Sequence, residues 1–351
     1  MHMADALLSP AVGCTMWAVS AGTIAYCSRK VRREMDDKKV PLMGVLGAFI
    51  FAAQMINFTI PATGSSGHLG GGLLLAILLG PHAAFLTIAS VLLIQAMFFA
   101  DGGLLALGCN IFNLGIFPAF IAYPLIYKPL VGNRPTQGRI VAASLIAAIL
   151  GLQLGAFGVV LETVASGVSS LPFATFVSLM QPIHLGIGIV EGLVTAAVVS
   201  FIYQARPEIL DSARLAKPLG NLPMRGILIT LLATTLLTGG VISWFASEHP
   251  DGLEWSISKV TGKEEIKGSK AGLHGLMASL QEKVAFLPGY SLKKPETKPH
   301  VDVAKQTADK KTEQESARLG TSLSGILGGL MTLALAGVIG FVLKKRARQP
   351  E

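Results

Sequence analysis

The sequence predicts an all-α, polytopic helical membrane protein, and three observations carry that prediction. Hydrophobic residues make up 51% of the 351-residue chain and charged residues only 14%, with a mean hydropathy of +0.58. Apolar runs of about 20 residues recur, each long enough to cross a hydrocarbon core of ~30 Å. The Lys and Arg residues collect in alternate loops, the segregation that orients membrane helices.

Taken in order, the apolar spans cover roughly 8–28, 41–60, 70–80, 83–100, 104–127, 139–162, 182–204, 226–246 and 322–343. Arg29, Lys30, Arg32, Arg33, Lys38 and Lys39 follow the first span, and Lys128, Arg134 and Arg139 the fifth. Arg206, Arg214, Lys217 and Arg225 follow the seventh, and Lys344, Lys345, Arg346 and Arg348 the ninth. Such loops belong in the cytoplasm, which places the N-terminus outside, the C-terminus inside and the chain in the cytoplasmic (inner) membrane as a multi-pass protein. The third span is short for a full crossing, yet the parity of the other loops requires one there. The net charge of +8 sits in short loops and the tail, so its partner is the lipid bilayer and not nucleic acid.

Two parts of unequal character follow from spacing. Residues 1–210 hold seven closely spaced spans, 211–225 form a cytoplasmic joint with Pro218 and Pro223, and 226–351 hold two spans (226–246 and 322–343) around an outside segment, 247–321. Within that segment Leu273, Leu276, Met277, Leu280 and Val284 recur at helical spacing, which predicts an amphipathic helix over 271–286 lying on the membrane or on the seven-span part. Residues 291–318 read as a polar linker.

The chemistry concentrates at two places on the outside face. The chain begins Met1-His2, and a bulky His at the second position is expected to preserve Met1. The Met1 amine, the His2 peptide nitrogen and the His2 imidazole then offer three nitrogens in one plane, a geometry that suits square-planar divalent nickel or copper. The loop between spans two and three reads Gly64-Ser65-Ser66-Gly67-His68-Leu69-Gly70-Gly71-Gly72. Its glycines allow close backbone approach, so His68 can supply a fourth nitrogen. Alone, each His has a bland reading, a terminal accident or a solvated loop residue; their shared side of the membrane favours the metal. Ser65, Ser66, Gln54 and Asn57 are candidates for hydrogen bonds behind the ligands. Gln54 and Asn57, three apart on one helix face, are equally suited to interhelical bonds.

Other residues point elsewhere. Glu162, His184 and Glu191 lie in or near spans and read as pairings inside the bundle, although an ionisable residue there is a functional candidate by default. Asp101, before Gly102-Gly103, reads as a turn residue. Gly44, Ala48 and Ala52 form a small-residue stripe that packs closely within the chain or docks another membrane subunit. Cys14, Cys27 and Cys109 form no Cys-x-x-Cys pair, which argues against a thiolate site. Neither a phosphate-binding Gly-x-x-x-x-Gly-Lys-Ser/Thr loop nor a His-Glu-x-x-His motif is present, so the reading is not an enzyme.

These residues resemble a known family. Met1-His2-Met3-Ala4-Asp5-Ala6-Leu7-Leu8-Ser9-Pro10, with Gly64-Ser65-Ser66-Gly67-His68-Leu69-Gly70-Gly71, is similar to the NikM/CbiM family of substrate-binding S components of energy-coupling-factor (ECF) transporters for nickel and cobalt. Pro250-Asp251-Gly252-Leu253-Glu254 resembles the companion N subunit, so the chain looks like an M–N fusion. The resemblance implies metal held by the Met1 amine, the His2 amide and imidazole nitrogens and the His68 imidazole. It also implies a membrane T subunit and two cytoplasmic ATPases as partners. Ala6-Leu7 departs from the Gly-Phe of many relatives, which affects the packing behind the N-terminus. Ser-Gly-His-Leu-Gly-Gly resembles the nickel-type loop, so Ni(2+) is the expected cargo; Co(2+) uptake for corrinoid synthesis is the alternative, and an intramembrane metalloenzyme or a structural membrane protein are the readings from other classes.

Overall fold

In the computed structural model the chain is described over residues 2–32, 35–169, 171–263, 266, 268–269, 271–292 and 306–347, apart from the side chains of 306–317 and 347. Met1 therefore lies outside the described residues, as do Arg33 and Arg348 of the basic loops. The helices are α1 (Pro10–Val31), α2 (Lys39–Gln54), α3 (Gly72–Leu79), α4 (Pro81–Phe99), α5 (Leu107–Val131), α6 (Gln137–Ser166), α7 (Phe173–Ala205) and a short α8 (Pro207–Leu215). They continue with α9 (Arg225–Gly240), α10 (Gly252–Thr261), α11 (Gly272–Val284) and α12 (Gln306–Ala347). Among the described residues α4, α5, α6, α7 and Arg318–Arg346 of α12 are long and apolar enough to cross a membrane, and α2 and α9 are shorter apolar helices. The polytopic all-α architecture is thus the observed one.

Local chemistry sets the ends. The Ser9 hydroxyl accepts from the Val12 N–H and Pro10 occupies the first turn of α1, where a missing N–H costs nothing. Thr136 caps α6 through the Arg139 N–H, and Gly167 closes it at φ 62°. Pro118 and Pro124 lie inside α5, whose turns over Phe112–Tyr127 are widened to the i→i+5 pattern.

The short third span has a physical explanation. Helix α3 has eight residues, all buried, and spans only about 12 Å. The chain before it does not stay at the surface. A two-stranded hairpin, β1 (Phe58–Ile60) against β2 (Ser65–Gly67) with Phe58 opposite Gly67, leads into a loop that descends between the helices. Its Gly70 and Gly71 N–H groups donate to Glu191, which lies roughly 27 Å along α7 from its first residue. Irregular backbone at that depth is tolerated only when protein satisfies it. The Glu191 carboxylate takes the two N–H groups, and Gln54 donates to the Gly70 carbonyl at 2.8 Å. The loop and α3 together run through the interior of the bundle.

One sequence expectation is corrected. The polar linker placed over 291–318 is helical from Gln306 onward as the start of α12; residues 293–305 lie outside the described residues. The Gly44/Ala48/Ala52 stripe is covered by the chain itself. Ala48 and Ala52 are buried, and a Cβ on Gly44 would sit 3.0 Å from the Leu333 carbonyl of α12. A Cβ on Gly239 of α9 would lie 3.4 Å from the Ala52 methyl. Spacing identified the stripe but could not say which helix fills it. Ala48→Leu should wedge α2 from α12 at a cost of about 1–3 kcal/mol, the usual penalty of overpacking. Thermal unfolding of the detergent-solubilised chain should show a clear drop, and a transition equal to that of the native chain would mean that this contact is not tight.

Candidate metal centre

The segment after Met1 enters the bundle and is pinned by the first turn of α5 and the loop ahead of it. The Met3 N–H donates to Asn110 Oδ1 at 2.8 Å, the Gly103 N–H donates to the Met3 carbonyl at 2.9 Å, and Asp5 accepts from the Ala106 N–H at 2.9 Å. Such contact leaves no room for side chains at Gly102 and Gly103. A Cβ on Gly102, at φ +80°, would sit 3.1 Å from His2 Cβ, and one on Gly103 would overlap the Asp5 carboxylate. Met3, Leu7 and Leu8 are buried behind the segment, so Ala6-Leu7 preserves an apolar anchor there.

This placement brings the His2 and His68 rings together, with centroids 4.8 Å apart and planes tilted by 32°. The His2 side chain is 4% exposed and His68 is buried. His68 Nδ1 lies 3.0 Å from the Leu69 carbonyl. A carbonyl only accepts, so Nδ1 carries the proton and Nε2 keeps its lone pair. Burial pushes the His68 imidazole down to about 3, which keeps it neutral as a donor must be.

His2 Nδ1 lies 2.7 Å from Asp101 Oδ1, and the other carboxylate oxygen accepts from the Tyr290 hydroxyl. Burial alone would raise the Asp101 carboxyl, but the His2 ring and the Tyr290 hydroxyl outweigh it and hold the group below the ordinary carboxylate range. Tyr290 is pushed well up by burial and then by the Asp101 charge, so it stays a hydroxyl donor. Its ring stacks on Phe99 with centroids 5.1 Å apart.

The residues expected behind the two histidines have different partners. Gln54 supports the loop through Gly70 and accepts from Gln95 Nε2 at 2.9 Å. The Ser65 hydroxyl meets Thr63, and the Ser66 hydroxyl donates to the His249 carbonyl at 2.7 Å; neither of these bonds goes to His68. The Asn57 carbonyl accepts from the Ser247 N–H, and the residue lines the cavity described below. Glu191 holds the Gly70-Gly71 turn, Glu162 accepts from Asn113 at 2.7 Å and His184 donates to the Met180 carbonyl. Glu191 thus supports the His68 loop, a role the sequence left unassigned.

Two residues that meet beside His2 carry no such reading in the sequence. Asp101 was read only as a turn, although the adjacent glycine pair signals close approach by another segment. Tyr290 carried no local signal, because its contact with Asp101 spans 189 residues of sequence.

The C-terminal part closes over this region. The Ser66 N–H donates to the Pro250 carbonyl at 2.8 Å. Asp251 caps α10 by accepting from Leu253 and Glu254, while Glu254 accepts from the Asp251 N–H. Gln281 of α11 donates to the Ala96 and Gly102 carbonyls, and His274 to the Leu8 carbonyl. The amphipathic helix therefore lies on the first seven spans, with Leu276 and Leu280 exposed. A cavity of about 1120 Å³ remains beneath it, reached by His2, His68, Asp101, Asp251 and Tyr290.

The family description "Cobalt uptake substrate-specific transmembrane region" matches residues 2–209, and the PDGLE domain matches residues 225–345. The chain belongs to the CbiM/NikMN family. It is a nickel/cobalt transport component. A fused NikMN-type chain of Archaeoglobus fulgidus is 32% identical over 350 residues, 99% of each chain. The fused nickel transport protein NikMN of Rhodobacter capsulatus is 31% identical over 83% of this chain and 88% of its own. A solved transition metal transporter is 31% identical, with a TM-score of 0.52 over 61% of this chain and 99% of that one. These CbiM/NikMN relatives and the fold are those of metal transport proteins and not of enzymes.

Proposed function

We propose that this protein is the metal-binding S component of an ATP-driven ECF-type uptake transporter, fused to its N-type accessory part, with nickel as the cargo. Residues 1–210 form the metal-binding part, 211–225 the cytoplasmic joint and 226–351 the accessory part, with segment 247–321 outside. The ion arrives from outside and is held by the Met1 amine, the His2 amide and imidazole and the His68 imidazole. The observation that carries this reading is the packing of two buried imidazoles, from opposite ends of the first 68 residues, 4.8 Å apart. Nitrogen donors favour nickel or cobalt over the hard cations that carboxylates bind, and a planar arrangement favours nickel of the two. Energy comes from two cytoplasmic ATPases coupled through a membrane T subunit, since this chain has no phosphate-binding loop.

The test is metal accumulation in cells that carry the chain with its T and ATPase subunits. Native protein should accumulate nickel in preference to cobalt, and His68→Ala should reduce uptake to the level of cells without the chain. Uptake that survives His68→Ala would refute the site.

Proton competition gives a second check. Burial keeps His68 neutral well below pH 5, so the reference imidazole pKa of ~6.5 does not set its behaviour. The competing protons are those of the terminal amine, with a reference pKa of about 7.7–8.0, and of the His2 peptide nitrogen. Both are released on coordination, so the apparent affinity should fall by about tenfold or more per pH unit below pH 7. An affinity that is flat between pH 5 and 8 would contradict nitrogen ligation.

A further inference from the structure

We propose that Asp101 competes with the metal ion for one nitrogen of His2, and that Tyr290 of the C-terminal part holds Asp101 in the competing position. This rests on the terminal chelate proposed above. A chelate through the His2 peptide nitrogen closes through Cα, Cβ and Cγ onto Nδ1, giving a six-membered ring with the metal. Nε2 sits on the far side of the imidazole and its lone pair points away from the backbone, so it cannot close that ring. In the structure Nδ1 faces Asp101 Oδ1 at 2.7 Å. An ionised carboxylate only accepts, so Nδ1 carries the proton there, and one nitrogen cannot donate that proton and bind a metal.

His2 Nε2 is buried and makes no hydrogen bond. The ring thus has its chelating nitrogen on Asp101 and its other nitrogen unpartnered. Chelation requires the imidazole to leave Asp101 and change tautomer. The Nδ1 proton is lost to water of the adjoining cavity, and the chelated imidazole carries its one proton on Nε2, taken from the same water where that nitrogen held none. The metal gains the freed Nδ1 lone pair.

Tyr290 gives the C-terminal part a hold on this exchange. Its hydroxyl occupies the second oxygen of Asp101, and its ring is fixed against Phe99. Gln281, from the same extramembrane segment, donates to the carbonyl of Gly102, next to Asp101. The carboxylate and the backbone beside it are therefore both held by residues that follow the seventh span. Asp101 and Tyr290 are positioning residues, and their effect is on how readily His2 becomes available.

The experiment uses the full-length purified chain and nickel ions alone, with stopped-flow absorbance reporting formation of the planar nickel band. Asp101→Asn and Asp101→Ala both remove the carboxylate charge, which itself attracts a cation, but Asn keeps an acceptor for Nδ1–H and Ala does not. The Ala variant should load faster than the Asn variant by roughly fivefold, the rate equivalent of one neutral hydrogen bond. Equal loading, or slower loading by Ala, overturns the proposal. Tyr290→Phe should change the loading rate when Asp101 is present and leave it unchanged in the Asp101→Ala background. The same change in both backgrounds overturns the role of Tyr290. If Asp101→Ala does not fold, the cycle is closed with Asp101→Asn, where the Tyr290→Phe effect should be reduced. Acetylation of Met1 separates this proposal from the reading beneath it. Undiminished nickel binding by the acetylated chain refutes the chelate and the competition together; loss of binding on acetylation, with Ala no faster than Asn, refutes the competition alone.

Discussion

Acetylation of Met1, or a tag of several residues ahead of it, should reduce nickel affinity by roughly a hundredfold or more, and His68→Ala should do the same. A four-ligand structural site contributes ~10–16 kcal/mol, so loss of one ligand removes several kcal/mol. The effect should be larger than for an ordinary metal site, because blocking the amine also moves the His2 chelate away from the terminus. The segment has no slack to compensate. Met3 is clamped by Asn110 and Gly103, and Gly102 leaves no space beside His2 Cβ. Equilibrium competition with a coloured chelator measures the change. A blocked chain that binds like the native one would show that the two imidazoles act with other donors.

Truncation after about residue 215 should leave a metal-binding bundle with a looser site. It removes the Pro250 carbonyl that pairs with Ser66 and the Gln281 amide on Gly102. Each such bond contributes ~1 kcal/mol net, so affinity should fall by about tenfold or more. Uptake should fall further, since the segment that roofs the cavity is gone. The truncation also bares the Gly44/Ala48/Ala52 stripe that α12 covers, which should lower thermal stability. Metal content at equilibrium, unfolding temperature and cellular uptake separate these effects. Undiminished uptake would make the C-terminal part dispensable, and complete loss of the nickel band would make it part of the site.

Much of this arrangement is legible in the sequence because membrane helices announce themselves one segment at a time. Span positions follow from hydropathy, and His2 and His68 stand out because each lies in a stretch whose only ready chemistry is a nitrogen donor. What stayed hidden depends on distant contacts. The half-length α3 makes sense only once Glu191 is seen satisfying Gly70 and Gly71, 121 and 120 residues away. The small-residue stripe shows its spacing locally, but the α12 helix that fills it lies far along the chain. Ser65 and Ser66 flank the right histidine, yet their hydroxyls go to Thr63 and the His249 carbonyl. Alternation of side chains along a hairpin decides such directions, and the hairpin itself is too short and glycine-rich to read. Asp101 illustrates the same limit, since a turn residue by composition becomes the partner of His2 by topology.

The central claim is a nitrogen site formed by the chain terminus, His2 and His68. X-ray absorption spectroscopy of the nickel-loaded full-length protein tests it most directly. The expected result is a four-coordinate planar nickel with nitrogen neighbours only and imidazole scattering from two rings, reduced to one in His68→Ala. A six-coordinate shell rich in oxygen, unchanged in His68→Ala, would contradict it.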